Sequence, residues 1–260
     1  MHVRPLPGPR GPAPARARSL TTPARPSLAR SALVLGAMLG LALVAADAFA
    51  QASATASILS DYRYRGISLS RGNPAVQLSV AYDDPSGIYA GILASNVEFA
   101  ISPHRELQGI PYAGYARRIG SELSAEIGAS YAVFTGPGRY DYAELYAGIA
   151  SDQVSGRLYY APRYFGREGG SLYAEINAAQ PLSDRLRLIA HVGVLFNRGQ
   201  YFPYGPTDRK VIDGRLGLAV ALEPFTIQAS WVGIGSANAG YPIPQGERRN
   251  TAVVSLSRAF

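Results

Sequence analysis

Residues 122–133 read ELSAEIGASYAV. Leu123, Ala125, Ile127, Ala129, Tyr131 and Val133 alternate with Glu122, Ser124, Glu126, Gly128, Ser130 and Ala132. A repeat of two is that of an extended strand, whose successive side chains point to opposite faces; here one face is apolar and the other carries acids and small residues. The pattern recurs in Val76, Leu78, Val80 and Tyr82 against Gln77, Ser79 and Ala81. It recurs again in Leu172, Ala174, Ile176 and Ala178 against Tyr173, Glu175, Asn177 and Ala179. A fourth case sets Leu186, Leu188, Ala190, Val192, Val194 and Phe196 against Arg187, His191 and Asn197. Charges in mid-strand need water, which they find on the open face of a β-sandwich or in the lumen of a membrane barrel.

Loop lengths decide between these. Turn signals divide the chain into twelve strands at about 53–65, 75–82, 88–98, 107–117, 122–134, 140–149, 154–164, 171–180, 185–197, 209–222, 225–234 and 248–260. Connections after even-numbered strands are tight, at 83–87, 118–121, 150–153, 181–184 and 223–224. Those after odd-numbered strands are mostly longer and rich in Gly, Pro and Arg, at 66–74, 99–106, 135–139, 165–170, 198–208 and 235–247. An even strand number with loops sorted by parity is the layout of an outer-membrane barrel, whereas a soluble sandwich has no reason to sort them. The expected fold is all-β: a single transmembrane antiparallel β-barrel of about twelve strands over residues 51–260.

Composition agrees. The chain has 260 residues, 17% of them charged, with 28 Gly, 17 Tyr and no Cys. Without Cys, thiolate zinc sites, catalytic thiols and disulfide scaffolds are excluded. The formal charge of +7 belongs largely to a leader, since Arg4, Arg10, Arg16, Arg18, Arg25 and Arg30 face only Asp47 in the first fifty residues. A nucleic-acid partner is therefore not expected. The apolar run Ser31 to Ala46 is shorter than a bilayer span and precedes Ala48-Phe49-Ala50, a small-x-small cleavage form. Residues 1–50 read as an Arg- and Pro-rich leader and signal peptide cleaved after Ala50, which sends the mature chain to the cell envelope.

Tyr62, Tyr64, Tyr82, Tyr89, Tyr131, Tyr160, Tyr164, Phe165, Phe225 and Trp231 fall near strand ends, where an interfacial aromatic belt is expected. The last strand places Ala252, Val254 and Leu256 on one face and stops on Phe260. A terminal Phe on an amphipathic strand is similar to the signal by which outer-membrane proteins are recognised by the barrel assembly machinery. Five segments, SDYRYRGIS (60–68), YAGILASN (89–96), YAGY (112–115), YYAPRYFG (159–166) and SLSRAF (255–260), together resemble the TorF-type porins of bacterial outer membranes. Leu93 stands where an aromatic is expected, and Pro111 is expected to interrupt the fourth strand. The resemblance implies a transmembrane barrel with a pore role, and brings no established substrate and no catalytic residues.

By parity, Asp61, Glu98, Glu126, Glu144, Glu175 and Asp213 point inward, with Arg63, Arg157, Arg187 and Arg215. They either line an aqueous path or pair across a narrow lumen. Glu126, Glu144 and Glu175 with Arg157 between them suggest an acidic wall favouring cations. His191 reads as a lumen polar residue rather than a catalytic base, and His104 lies in a long loop. No metal, phosphate-loop or cofactor motif is present. The functional expectation is a porin-like channel for small hydrophilic solutes with outer-membrane lipids around it; the alternatives are a closed structural or surface-interaction barrel and, less favoured, a lipid-modifying enzyme. Oligomeric state is not legible. Deleting Phe260 is expected to leave the barrel unassembled and degraded; a heat-modifiable band at the normal level on unboiled gels would show that the terminus is no assembly signal.

Overall fold

The computed structural model describes residues 51–98, 105–136, 140–166, 169–198, 210–235 and 249–260. The leader assigned to residues 1–50, His104 and most of the long loops lie outside them. Twelve strands form one closed antiparallel barrel: β1 (Ala52–Leu59), β4 (Ala75–Asp83), β5 (Ile88–Val97), β6 (Glu106–Ile119), β7 (Leu123–Phe134), β8 (Tyr142–Ala150), β9 (Val154–Ala161), β10 (Ser171–Pro181), β11 (Leu186–Asn197), β12 (Lys210–Leu222), β13 (Phe225–Ile234) and β14 (Asn250–Ala259). Two further two-residue strands, β2 (Arg63–Tyr64) and β3 (Ile67–Ser68), pair only with each other. Each strand pairs with its neighbour, and β1 closes the ring against both β4 (Ser57↔Gln77) and β14 (Ser57↔Ser257). Closure removes the unpaired edges that no hydrocarbon environment could satisfy.

The alternation maps onto the two faces as the sequence suggests. On β7, Ile127 is 63% exposed and Tyr131 48%, while Ala132 is 3% and Phe134 5% exposed. Val76, Leu78 and Val80 on β4, Ile176 on β10, Leu216 on β12 and Trp231 on β13 are likewise exposed. A continuous apolar outer surface of this extent is unsuited to water and matches the lipid-facing band of a membrane barrel. The five short turns occupy the expected positions. In the first of them Asp84 accepts from the Ser86 N–H at 2.8 Å, and these local bonds hold its carboxyl below the usual carboxylate range. Pro111 does not interrupt its strand: β6 runs through it in register with Ile92 of β5, and only the β7 side lacks ladder partners at Ile110 and Pro111. The missing N–H of proline accounts for that local gap.

The main departure lies at the first strand. β1 ends at Leu59 rather than near residue 65, and residues 60–74 turn into the barrel as loop L1, with β2 and β3 as a hairpin. Tyr62, Ile67 and Leu69 of L1 are buried in one cluster with Val97, Phe134, Tyr142, Phe165, Tyr173, Leu195, Val211 and Ile234, which come from strands around the wall and from the 3-10 turn at Tyr164–Gly166. The barrel therefore has a packed core inside its long-loop half. Tyr62, Tyr164 and Phe165, placed by sequence in an interfacial belt, belong to this core; Tyr64 packs against it, and Tyr89 bonds inside the lumen. Tyr82, Tyr131, Tyr160, Phe225 and Trp231 do lie on the outer surface. Arg at Ile127 is expected to destabilise the barrel in lipid by about 2–4 kcal/mol if the site meets the bilayer midplane, and Arg at the inward Ser130 by much less. Equal losses in a urea titration in vesicles would overturn the facing of β7.

Candidate functional site

L1 is held by a small polar knot. Asp61 accepts from Arg63 Nε at 2.7 Å, from the Ser68 hydroxyl, and from the Ser70 hydroxyl at 3.1 Å. The Ser70 oxygen in turn accepts the Tyr62 N–H at 2.9 Å, and the Leu69 N–H donates to the Tyr62 carbonyl at 2.7 Å. Three side chains thus close on one buried carboxylate, which replaces the water it loses. At the hairpin tip Arg65 and Gly66 have φ of 49° and 80°. A Cβ on Gly66 would lie 2.8 Å from the Asp213 Cβ and 3.0 Å from the Ile234 Cβ, so only glycine lets the tip touch the wall here.

From that tip the Arg65 side chain, 5% exposed, enters an aromatic cage. Its guanidinium carbon stands 4.1 Å from the ring centroid of Tyr173, 4.8 Å from that of Tyr64 and 5.1 Å from those of Tyr159 and Tyr164. Nη2 donates to both carboxylate oxygens of Glu144, at 2.9 and 3.0 Å, and the Tyr64 hydroxyl donates to the same carboxylate at 3.2 Å. A desolvated cation–π contact contributes on the order of 1–2 kcal/mol, and a buried ion pair holds only when its remaining groups are met. At Arg65 both contacts meet, although its Nη1 is buried without a hydrogen-bond partner.

A cavity of about 550 Å³ extends from L1 to Tyr89 near the short-turn end of β5. Its wall carries three further clusters. Arg157 on β9 pairs through Nε with Glu126 on β7, whose other oxygen accepts from the Tyr89 hydroxyl at 2.8 Å. Asp213 on β12 accepts from the Tyr173 hydroxyl at 3.1 and 3.2 Å and lies 2.9 Å from His191 Nε2. Glu175 on β10 accepts from the Tyr159 hydroxyl at 3.2 Å and from Asn177 Nδ2 at 3.1 Å; that bond fixes the Asn177 amide so that its oxygen faces His191 Nδ1 at 2.8 Å. Arg215 on β12 lines the cavity as well.

Of the sequence candidates, Glu144, Arg157, Glu175, His191, Asp213 and Arg215 stand on the cavity wall, while Asp61 and Arg63 reach the cavity from L1. Glu126 sits behind Arg157. Glu98 lies beyond the end of β5, where Asn73 Nδ2 donates to it at 3.0 Å and Arg71 approaches at 3.5 Å; it ties the base of L1 rather than lining the cavity. Arg187 is exposed near the short-turn end of β11, outside the cavity wall. The acidic wall does not stand as a row of free charges, because Glu126 and Glu144 each face a guanidinium. Arg65, Tyr159 and Tyr173 carry no weight in a parity argument, although the surplus of tyrosine was the available signal.

A closed strand barrel with an apolar outside, a polar lumen and an inward loop is a membrane β-barrel of the outer-membrane type. Residues 44–260 match the model of a family described as "Bacterial protein of unknown function (Gcw_chp)", and the chain belongs to that family. In structure it is similar to the NanC porin, with a TM-score of 0.53 and 9% identity over 80% of this chain and 98% of that one. It is also similar to the KdgM porin, with a TM-score of 0.49 and 14% identity over 80% of this chain and 99% of that one. No curated protein matches in sequence. The likeness to NanC shows the barrel fold. Replacing Glu144 with Gln should leave the Arg65 charge buried and unpaired, at a cost of about 3–5 kcal/mol to L1 docking. Hydrogen exchange should then speed up over residues 61–70 and remain slow in β10 and β11; unchanged protection of L1 would contradict the role of this pair.

Proposed function

We propose that the protein is a porin-like channel of the TorF type in the bacterial outer membrane, passing small hydrophilic solutes by diffusion, with L1 forming the narrowest section of the lumen. The observation that carries this reading is the 550 Å³ cavity, lined by charged and hydroxyl-bearing side chains inside a barrel whose outer face is apolar. Walls of this kind suit water and small polar solutes. Export through the cleaved leader and recognition of Phe260 by the assembly machinery complete the proposal.

The packed core around L1 favours a second reading, a closed barrel with a structural or surface-interaction role, because sixteen buried apolar residues among those described form one cluster inside the wall. A lipid-modifying activity has less support, since His191 is turned into the lumen with its ring nitrogens against Asn177 and Asp213. Conductance of the purified barrel in planar bilayers separates the two main readings. The channel reading expects small, stable steps for the natural sequence and larger steps for Arg65→Ala, which empties the cage that holds L1. Absence of current from both proteins would establish the closed barrel.

A further inference from the structure

The ionic ledger of the cavity leaves two groups over. Asp61 is matched by Arg63, Glu144 by Arg65 and Glu126 by Arg157, and Asp213 is engaged by His191 and Tyr173. Among the described residues, Glu175 has no cation within 4.0 Å, and its two hydrogen bonds both go to Oε1. Arg215 likewise has no carboxylate within 4.0 Å, and its Nε is buried without a partner. Both residues line the same cavity and both are half-buried.

Their placement is set by the sheet. Asn177, His191 and Arg215 are in register across β10, β11 and β12, and Glu175 is two residues from Asn177 on the same inward face. Two strand spacings and a two-residue offset along the strand separate the Glu175 and Arg215 backbones by about 12 Å, a gap that two long inward side chains leave to a small solute such as an amino acid or short peptide. Facing β12 across the ring, six strands away, β6 brings Tyr112 to the cavity, while Tyr159 adjoins Glu175. Such rings offer a flat apolar surface with a polar edge.

We infer that the cavity binds a zwitterionic solute of the amino-acid class, its ammonium on Glu175 and its carboxylate on Arg215, with the organic body against the tyrosines. This deepens the channel reading and rests on it for the route of entry. A singly charged solute would satisfy one group and leave the other bare, so selectivity follows from charge-assisted bonds at both ends.

The test uses three probes of one shape: L-phenylalanine, 2-phenylethylamine lacking the carboxylate, and 3-phenylpropionate lacking the ammonium. Titration calorimetry on the detergent-purified barrel should show L-phenylalanine binding at least about tenfold tighter than either analogue. Glu175→Gln should reduce its affinity to that of 3-phenylpropionate, and Arg215→Gln to that of 2-phenylethylamine. Arg215→Lys, keeping the charge, should restore most of the binding, and a heat-modifiable band shows that each variant is folded. Equal binding of the three probes, or an affinity indifferent to both substitutions, overturns the inference. Binding with this pattern in a barrel that carries no current refutes the channel and leaves the site standing; current without such binding does the reverse.

Discussion

The guanidinium of Arg65 is a permanent charge removed from water, and the interior of the barrel is arranged around meeting its needs. It meets a carboxylate from β8, rings from β9 and β10, a ring from the 3-10 turn and one from its own hairpin. Because these partners lie on separate strands, L1 can dock only when the ring is closed with those strands at their observed stagger. A lysine would not serve in the same way: the planar guanidinium stacks on rings and bonds a carboxylate in one plane, whereas an ammonium is a compact, strongly hydrated point. Docking in turn covers the Asp61 knot and creates the apolar core of the long-loop half.

The abundance of both tyrosine and glycine follows from the same interior. The ring of Tyr146 lies where a side chain on Gly128 would be, and that of Tyr89 where one on Gly114 would be. A glycine on the neighbouring strand lets the ring lie flat along the wall and keeps the lumen open, while the hydroxyl reaches a partner such as Glu126. Wall tyrosines thus do two things, packing against backbone and presenting polar edges to the cavity.

Much of the barrel was legible from period two, because facing in a membrane barrel obeys a single rule along every strand. On β7 the apolar Ile127 and Tyr131 are exposed, and on β10 and β11 Glu175, Asn177 and His191 line the cavity, whereas Arg187 lies outside it. The inward turn of L1 was not legible for a physical reason: Asp61, Arg63 and Arg65 against Tyr62 and Tyr64 keep perfect strand alternation, so the run SDYRYR reads as a continuation of β1. Only Gly66 hinted at a tip. Charge pairing was hidden as well, since Arg65 and Glu144 are far apart in sequence and meet through closure of the ring, which no local pattern encodes. The aromatic belt was overdrawn because tyrosine suits both an interface and a wet wall, and position near a strand end does not tell them apart.

The central claim is that L1, latched through Arg65 and Glu144, sets the narrowest section of the lumen. The chain has no cysteine, so an Arg65→Cys, Glu144→Cys barrel can be bridged by a short, reducible bis-thiol reagent and its conductance recorded in one bilayer before and after reduction. The account predicts low conductance while the bridge holds L1 in place and a clear rise once it is cut. Identical conductance in the two states would contradict it.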